Sequence, residues 1–234
     1  STKSIMTQIV RHFARYDAPV DVKEVCESVE FVMRMRKRLV GNVSKIQKQK
    51  ELSVVNDNDN KTTMIHLLDL CCGHGLTGML FAASYGPGKV HVTLVDQTKP
   101  SSHAILKQLL LQICPWLQDQ ITYKSMSLED WKNTSSNDNN PVNIVISTHA
   151  CGSLTDRVLD YAIQHKAEAV AVMPCCYTGT DVGSPFAVKR ALGVSWAADI
   201  RRSYQLQDHA YHVDFGAIPQ SITPMNRIII GELR

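Results

Sequence analysis

An apolar run, Met64-Ile65-His66-Leu67-Leu68, closes on Asp69 and passes through Leu70-Cys71-Cys72 into Gly73-His74-Gly75-Leu76-Thr77-Gly78. The run is too short for a buried helix and stands directly before closely spaced glycines, which fits a strand of a parallel sheet. Gly73 and Gly75 let backbone approach a ligand where a Cβ would collide. A helix opening near Leu76 then aims free N–H groups at the same point. The stretch therefore reads as the first strand and nucleotide-binding turn of an α/β domain.

Gly73 to Gly78 also satisfies G-x-G-x-x-G, the dinucleotide fingerprint, with an acidic Asp96 at about the right distance. Asp69 argues against NAD. A carboxylate facing a pyrophosphate costs about 1 kcal/mol at 4 Å in water and about 4 kcal/mol at an effective dielectric near 20. Beside the ammonium and sulfonium of S-adenosylmethionine (SAM) the same charge is favourable. Here the chain resembles the seven-strand SAM-dependent methyltransferase superfamily, whose first motif is an acid followed by glycines at alternate positions. The resemblance implies SAM as cofactor, held by Asp69, Cys71, Gly73 and Gly75, with Cys71 standing where that superfamily usually carries its first glycine.

The 234 residues, 44% hydrophobic and 20% charged, suit a globular chain long enough to bury a core without disulfide staples. No apolar run reaches the roughly 18 residues of a membrane span, and the polar N-terminus does not read as a signal peptide. Seven cysteines, an odd number with two adjacent pairs, favour a reducing compartment, cytoplasmic or nuclear, over a disulfide framework. The sequons at Asn42, Asn60 and Asn133 are then accidental.

A net charge of +3 does not diagnose a nucleic-acid binder. Ile5, Met6, Ile9, Val10 and Phe13 recur at helical spacing, and Asp21 with Glu24 opens a second helix with a capping-box-like start. Val22, Val25, Val29, Val32, Met33, Val40 and Val43 line its apolar side, and Arg36 falls on that side too. Arg34, Lys37, Arg38, Lys45, Lys48 and Lys50 give it a basic face, either a solvated surface or a seat for RNA or another anion. Asn56 to Asn60 reads as a linker, since calcium would need the glycine and terminal glutamate that it lacks. Asn133 to Asn140 reads as a surface loop. The expected division is a helical cap and linker over 1–60 and a SAM-binding domain over 61–234.

From Ile65 onward, β-rich and helical runs alternate, which predicts a parallel sheet. Strands are expected near 90–95, 121–124, 142–147 and 169–173, with helices over 101–114, 154–165 and 186–192. Two C-terminal β-rich runs, 210–215 and 227–233, are joined by a loop containing Pro219 and Pro224, and the resemblance to the methyltransferase superfamily implies that they close the sheet as an antiparallel hairpin. The fold class is thus α/β, a Rossmann-like, mostly parallel seven-stranded sheet with an antiparallel C-terminal hairpin and an N-terminal helical cap. Asp96 closes the second strand, where a carboxylate can accept both ribose hydroxyls or cap a helix. Met126 and Ser127 follow the third, where the superfamily borders the adenine.

His149-Ala150-Cys151-Gly152-Ser153-Leu154-Thr155-Asp156 follows the fourth strand, and Pro174-Cys175-Cys176-Tyr177 the fifth. Together they resemble a methyltransferase subfamily that carries H-x-C-G-x-x-T-D and P-C-C segments. Its members include enzymes that 2′-O-methylate tRNA acceptor stems and several methyltransferase-like proteins. The resemblance spans about residues 20–232. It implies SAM and S-adenosylhomocysteine as ligands and RNA, either tRNA or rRNA, as one acceptor class, with a protein or small molecule as alternatives. Thr148, counted with the cofactor-binding residues, replaces a lysine of the tRNA enzymes.

His149 is the candidate general base, because an imidazole with a pKa near 6.5 accepts a proton at neutral pH. Its alternatives are capping the next helix or packing under the cofactor. Asp156 either orients that imidazole or lies in the first turn of a helix, where an acid is favoured. Tyr177 either lines the acceptor pocket or is simply half-buried. The readings from other classes are an NAD-linked oxidoreductase and a catalytically silent SAM-fold binding module. If the first, fourth and fifth strands are neighbours, Cys71, Cys72, Cys151, Cys175 and Cys176 gather at one rim. They are read as close packing beside the cofactor, as a redox-sensitive rim that a disulfide would block, or as a zinc site with Cys151, Cys175 and His149 as ligands. No metal is assigned, because Cys175-Cys176 lacks the usual ligand spacing.

Overall fold

The β-rich runs pair into one sheet of seven strands. A computed structural model describes residues 2–53, 64–135, 142–178 and 183–234. The Asn56 to Asn60 linker and residues 136–140 of the asparagine-rich stretch lie outside those residues. In chain order the elements are α1 (Thr2–Arg15), α2 (Val22–Ser53), β1 (Ile65–Leu70), α3 (Leu76–Ala83), β2 (Val90–Asp96) and α4 (Ser101–Ile113). After a short 3₁₀ turn come β3 (Ile121–Ser125), α5 (Leu128–Ser135), β4 (Ile144–Ser147), α6 (Ser153–Gln164), β5 (Ala169–Val172), α7 (Phe186–Asp208), β6 (Tyr211–Ala217) and β7 (Arg227–Leu233). The strand order is β3-β2-β1-β4-β5-β7-β6, with β7 antiparallel to both β5 and β6. The expected mostly parallel sheet with a C-terminal antiparallel hairpin is what the chain forms.

Strand alternation divides the core in two. Leu67, Ile144, Ile146, Ala169, Ala171, Ile228 and Ile230 pack under α1 to α4. Leu68, Val145, Val170, Val172 and Ile229 pack against residues of α6 and α7 on the other face. Both faces are covered, so the parallel strands read as continuous apolar runs rather than as alternation. The chain reverses order at β1, whose neighbours are β2 and β4. The crevice outside the ends of these strands is where such a sheet receives a ligand.

The two N-terminal helices share this core. Met6, Ile9 and Phe13 of α1, and Phe31, Val32, Met35, Leu39 and Val43 of α2, are buried in the same cluster as β1 and β2. The inner side of α2 is rotated slightly from the one its valines suggest, for Val22 is 77% exposed while Phe31 is fully buried. Arg36 does lie on the inner side, its guanidinium 5.8 Å from the Tyr85 ring centre. The basic face is partly consumed within the fold, since Arg34 pairs with Glu30 and Arg38 with Asp214 and Glu232. Helix α5 and the second half of α7 go beyond the helices expected from the pattern. Beyond a kink at Gly193, the buried side of α7 includes Asp199, Arg202 and Ser203, so hydrophobic periodicity is hidden. Among the described residues no helix is long and apolar enough to cross a membrane.

Because α2 completes the core, Phe31→Ala is expected to destabilise the whole chain by about 3–5 kcal/mol. Urea denaturation followed by tryptophan fluorescence and by circular dichroism should give one coincident transition. A separate early transition for the helices would show that they are not part of this core.

Candidate active site

The turn after β1 is held from several sides. Cys71, Gly73 and Gly75 all take positive φ, of 55°, 55° and 77°. The first of these explains why a glycine is usual at that position: left-handed backbone costs a non-glycine residue about 1–2 kcal/mol. The Gly73 N–H donates to Asp96 Oδ2 at 2.8 Å, and the Thr98 N–H donates to the other oxygen. Tyr123 Oη donates to the Gly73 carbonyl at 2.7 Å, and His103 Nδ1 lies 2.9 Å from the His74 carbonyl. A side chain on Gly75 would meet Leu94 Cδ1 at 2.5 Å, so only glycine closes the helix onto β2 there. At Gly73, by contrast, a Cβ would meet nothing within 4 Å.

Asp69 is 1% exposed and accepts the Gly78 N–H with one oxygen, while its other oxygen has no partner. Burial, opposed by that hydrogen bond, pushes its pKa from 3.8 up to about 8. A buried carboxylate oxygen without a donor, open space over Gly73 and an acid at the end of β2 form a receptacle for a cationic nucleoside cofactor. Asp69, Gly73, Gly75 and Asp96, the residues expected to hold SAM, are brought together at this turn. Met126 sits beside them, its N–H donating to the Asp96 carbonyl. The Ser127 hydroxyl is committed locally: it accepts the Asp130 N–H and donates to the Asp130 carboxylate, capping α5.

His149 follows β4, half-buried, its ring centre 6.2 Å from that of His74. Desolvation lowers its pKa, against the opposing pull of Glu24, so the imidazole is neutral at pH 7. Helix α2 supplies groups that sequence reading did not assign. Glu24 bonds His74 Nε2 at 3.1 Å instead of closing a capping box, and Ser28, Thr77 and Thr148 form a chain of hydroxyls at 3.0 and 3.1 Å. Thr148 is therefore a buried member of that chain rather than an open rim residue. Ser28 stands in no motif and Glu24 only in the capping-box pattern; only the docking of α2 reveals these contacts.

Asp156 and Tyr177 take the second reading given for each. Asp156 lies in the first turn of α6, its carboxylate accepting from Arg201 and Arg202. Tyr177 donates its hydroxyl to Asp199 at 2.7 Å and accepts from Arg227, so it is a structural partner of α7 and β7. Arg202, fully buried, joins Asp156, Asp199 and the Gly152 carbonyl. A fixed guanidinium fork can serve all three, which no other side chain does.

The five rim cysteines also separate. The sulfurs of Cys151 and Cys175 are joined as a disulfide, although the cysteine count as a whole favoured a reducing compartment. Cys176 lies with them, the three sulfurs within 4.8 Å of one another, whereas Cys71 and Cys72 are not in that group. Burial pushes the Cys71 thiol up to about 12, so it packs as an inert small side chain.

Fold and rim together define a Rossmann-like methyltransferase architecture. Residues 22–181 match the family described as a methyltransferase domain, and the chain belongs to that family. An O-methyltransferase from Bacillus cereus in complex with SAH is 11% identical with a TM-score of 0.57, covering 98% of this chain and 90% of that one. A cofactor-bound protein from MTB is 14% identical with a TM-score of 0.53, covering 99% and 90%. At these identities the likeness is one of fold. No curated protein matches the chain.

Removing the buried guanidinium should be costly, since it leaves carboxylates uncompensated. Arg202→Met is expected to destabilise the protein by about 3–5 kcal/mol. A urea midpoint unchanged from the parent would show that the cluster does not anchor α7.

Proposed function

We propose that the chain is a SAM-dependent methyltransferase whose acceptor is a hydroxyl, with His149 as the base that takes the acceptor's proton. The observation that carries this reading is a neutral, half-buried imidazole directly after β4, at the same rim as the glycine turn. When bound, SAM supplies a methyl group on an already activated sulfonium. The protein's own part is alignment and proton removal. Asp69 gives up the proton that burial holds on it to offer its unpartnered oxygen to the cofactor's ammonium, and Asp96 offers its carboxylate to the ribose hydroxyls. Gly73 leaves the room that the cofactor needs. The hydroxyl chain of Ser28, Thr77 and Thr148 ties α2 to the rim and holds His149 in register.

An RNA acceptor, drawn from the subfamily resemblance, gains little from α2. Arg34 and Arg38 are engaged within the fold, so Lys37, Lys45 and Lys48 would have to supply the phosphate contacts. Labelled methyl transfer from SAM into fractionated cell extract identifies the acceptor class directly. Calorimetry with SAM, S-adenosylhomocysteine and NAD tests the cofactor, and binding of NAD alone would remove this reading.

Asp69 links cofactor binding to pH. Its folded pKa is raised, so its contribution to stability is fully present below about pH 4 and is lost as pH rises through about 8. Asp69→Asn is therefore expected to be more stable than the parent at pH 8 and to bind SAM more weakly. The comparison needs thermal melts at pH 5 and pH 8 together with calorimetry. Equal SAM affinity in the two proteins would exclude the role assigned to the carboxylate.

His149→Ala should lower kcat by about 10²–10⁴-fold while leaving S-adenosylhomocysteine affinity unchanged. In the parent, activity should rise with pH through a value below the ordinary histidine pKa and be flat above neutrality, since desolvation lowers the His149 pKa. A pH profile that survives the substitution would assign the titration to another group.

A further inference from the structure

We infer that Cys151, Cys175 and Cys176, when reduced, form a binding site for a thiophilic divalent cation of the zinc class. Sequence spacing spoke against metal, because Cys175 and Cys176 are adjacent. The fold removes that objection by bringing Cys151 in from a different loop, so that three sulfurs fall within 4.8 Å of one another. A disulfide needs two sulfurs and leaves Cys176 without a reason to be there; a tetrahedral thiolate site takes three and completes its shell with a solvent or substrate atom.

The loops are built to hold the sulfurs in place. The Gly152 N–H donates to the Cys176 carbonyl at 3.3 Å, and the Cys175 sulfur lies 3.8 Å from the His149 carbonyl oxygen. Gly152 adopts φ 57°, and a Cβ there would collide with the Thr178 carbonyl oxygen, so glycine is required for the two loops to meet. Cys151 stands just ahead of the N-terminus of the twelve-residue α6, and Arg202 bonds the carbonyl of the next residue. Cys151 is exposed, which leaves an entry path for the ion.

The disulfide seen between Cys151 and Cys175 and the proposed metal compete for the same sulfurs. A dithiol reductant opens the disulfide by delivering two electrons and two protons. Binding of the cation then displaces one proton from each of the three thiols. The bound ion would tie the segment carrying His149 to the segment after β5. This inference does not depend on methyl transfer, and its measurement does not use it.

Cys176 is the discriminating residue, because the disulfide can form without it. The full chain, reduced with a dithiol and freed of it without air, is loaded with Zn²⁺ or Co²⁺ and dialysed. Elemental analysis should find about one ion per chain, and the cobalt form should show sulfur-to-metal charge-transfer absorption. Cys176→Ser and Cys151→Ser should each lose most of the bound ion, while Cys26→Ser on α2 retains it. Circular dichroism verifies that the variants fold, and non-reducing mass analysis of oxidised Cys176→Ser should still find the Cys151–Cys175 bond. Absence of retained zinc in the reduced parent, or full retention by Cys176→Ser, would overturn the inference.

Discussion

The rim is organised by one hydrogen bond, from the Gly73 N–H to the Asp96 carboxylate. It fastens the end of β1 to the end of β2 and stabilises a turn containing three left-handed residues. Tyr123 and His103 engage the turn's carbonyls from β3 and α4. Orphaned backbone groups and a strained Cys71 would otherwise favour opening the turn. Beneath the turn Asp69 is buried, its second oxygen without a donor among the described residues. A carboxylate held in that state is costly to the fold and useful to a cationic ligand.

The other half of the rim depends on charge rather than on backbone. Asp156, Asp199, Arg202 and Arg227 join α6, α7 and β7, and Arg202 reaches the Gly152 carbonyl beside the cysteine loops. Replacing all of such a buried cluster with well-packed apolar side chains is often neutral or stabilising, yet breaking it by removing one member is expensive. Its position gives the Thr-Asp end of the H-x-C-G-x-x-T-D segment a structural purpose: Thr155 bonds back to the Ala150 carbonyl and Asp156 anchors α7. Helix α2 closes the remaining side through Glu24 and Ser28.

The sheet and its hairpin were legible in the chain because strands buried on both faces must be apolar throughout and must end in turn residues. Asp69, Gly73, Gly75 and Asp96 could be named beforehand for a related reason, since local backbone geometry and strand ends need no tertiary information. The partners of Asp156 and Tyr177 could not. Their hydrogen bonds span 22 to 50 residues of sequence, and a charged residue on a buried helix face looks like one on a solvated face. The same holds for the basic face of α2, where only the docking of β6 and β7 shows that Arg38 is already paired. Sequence by itself determined the α/β layout and the glycine turn after β1, because period and glycine placement are local. Tertiary structure alone decided that α2 borders the rim and that Cys151 meets Cys175 and Cys176, because those encounters depend on how separate loops and helices converge at one edge of the sheet.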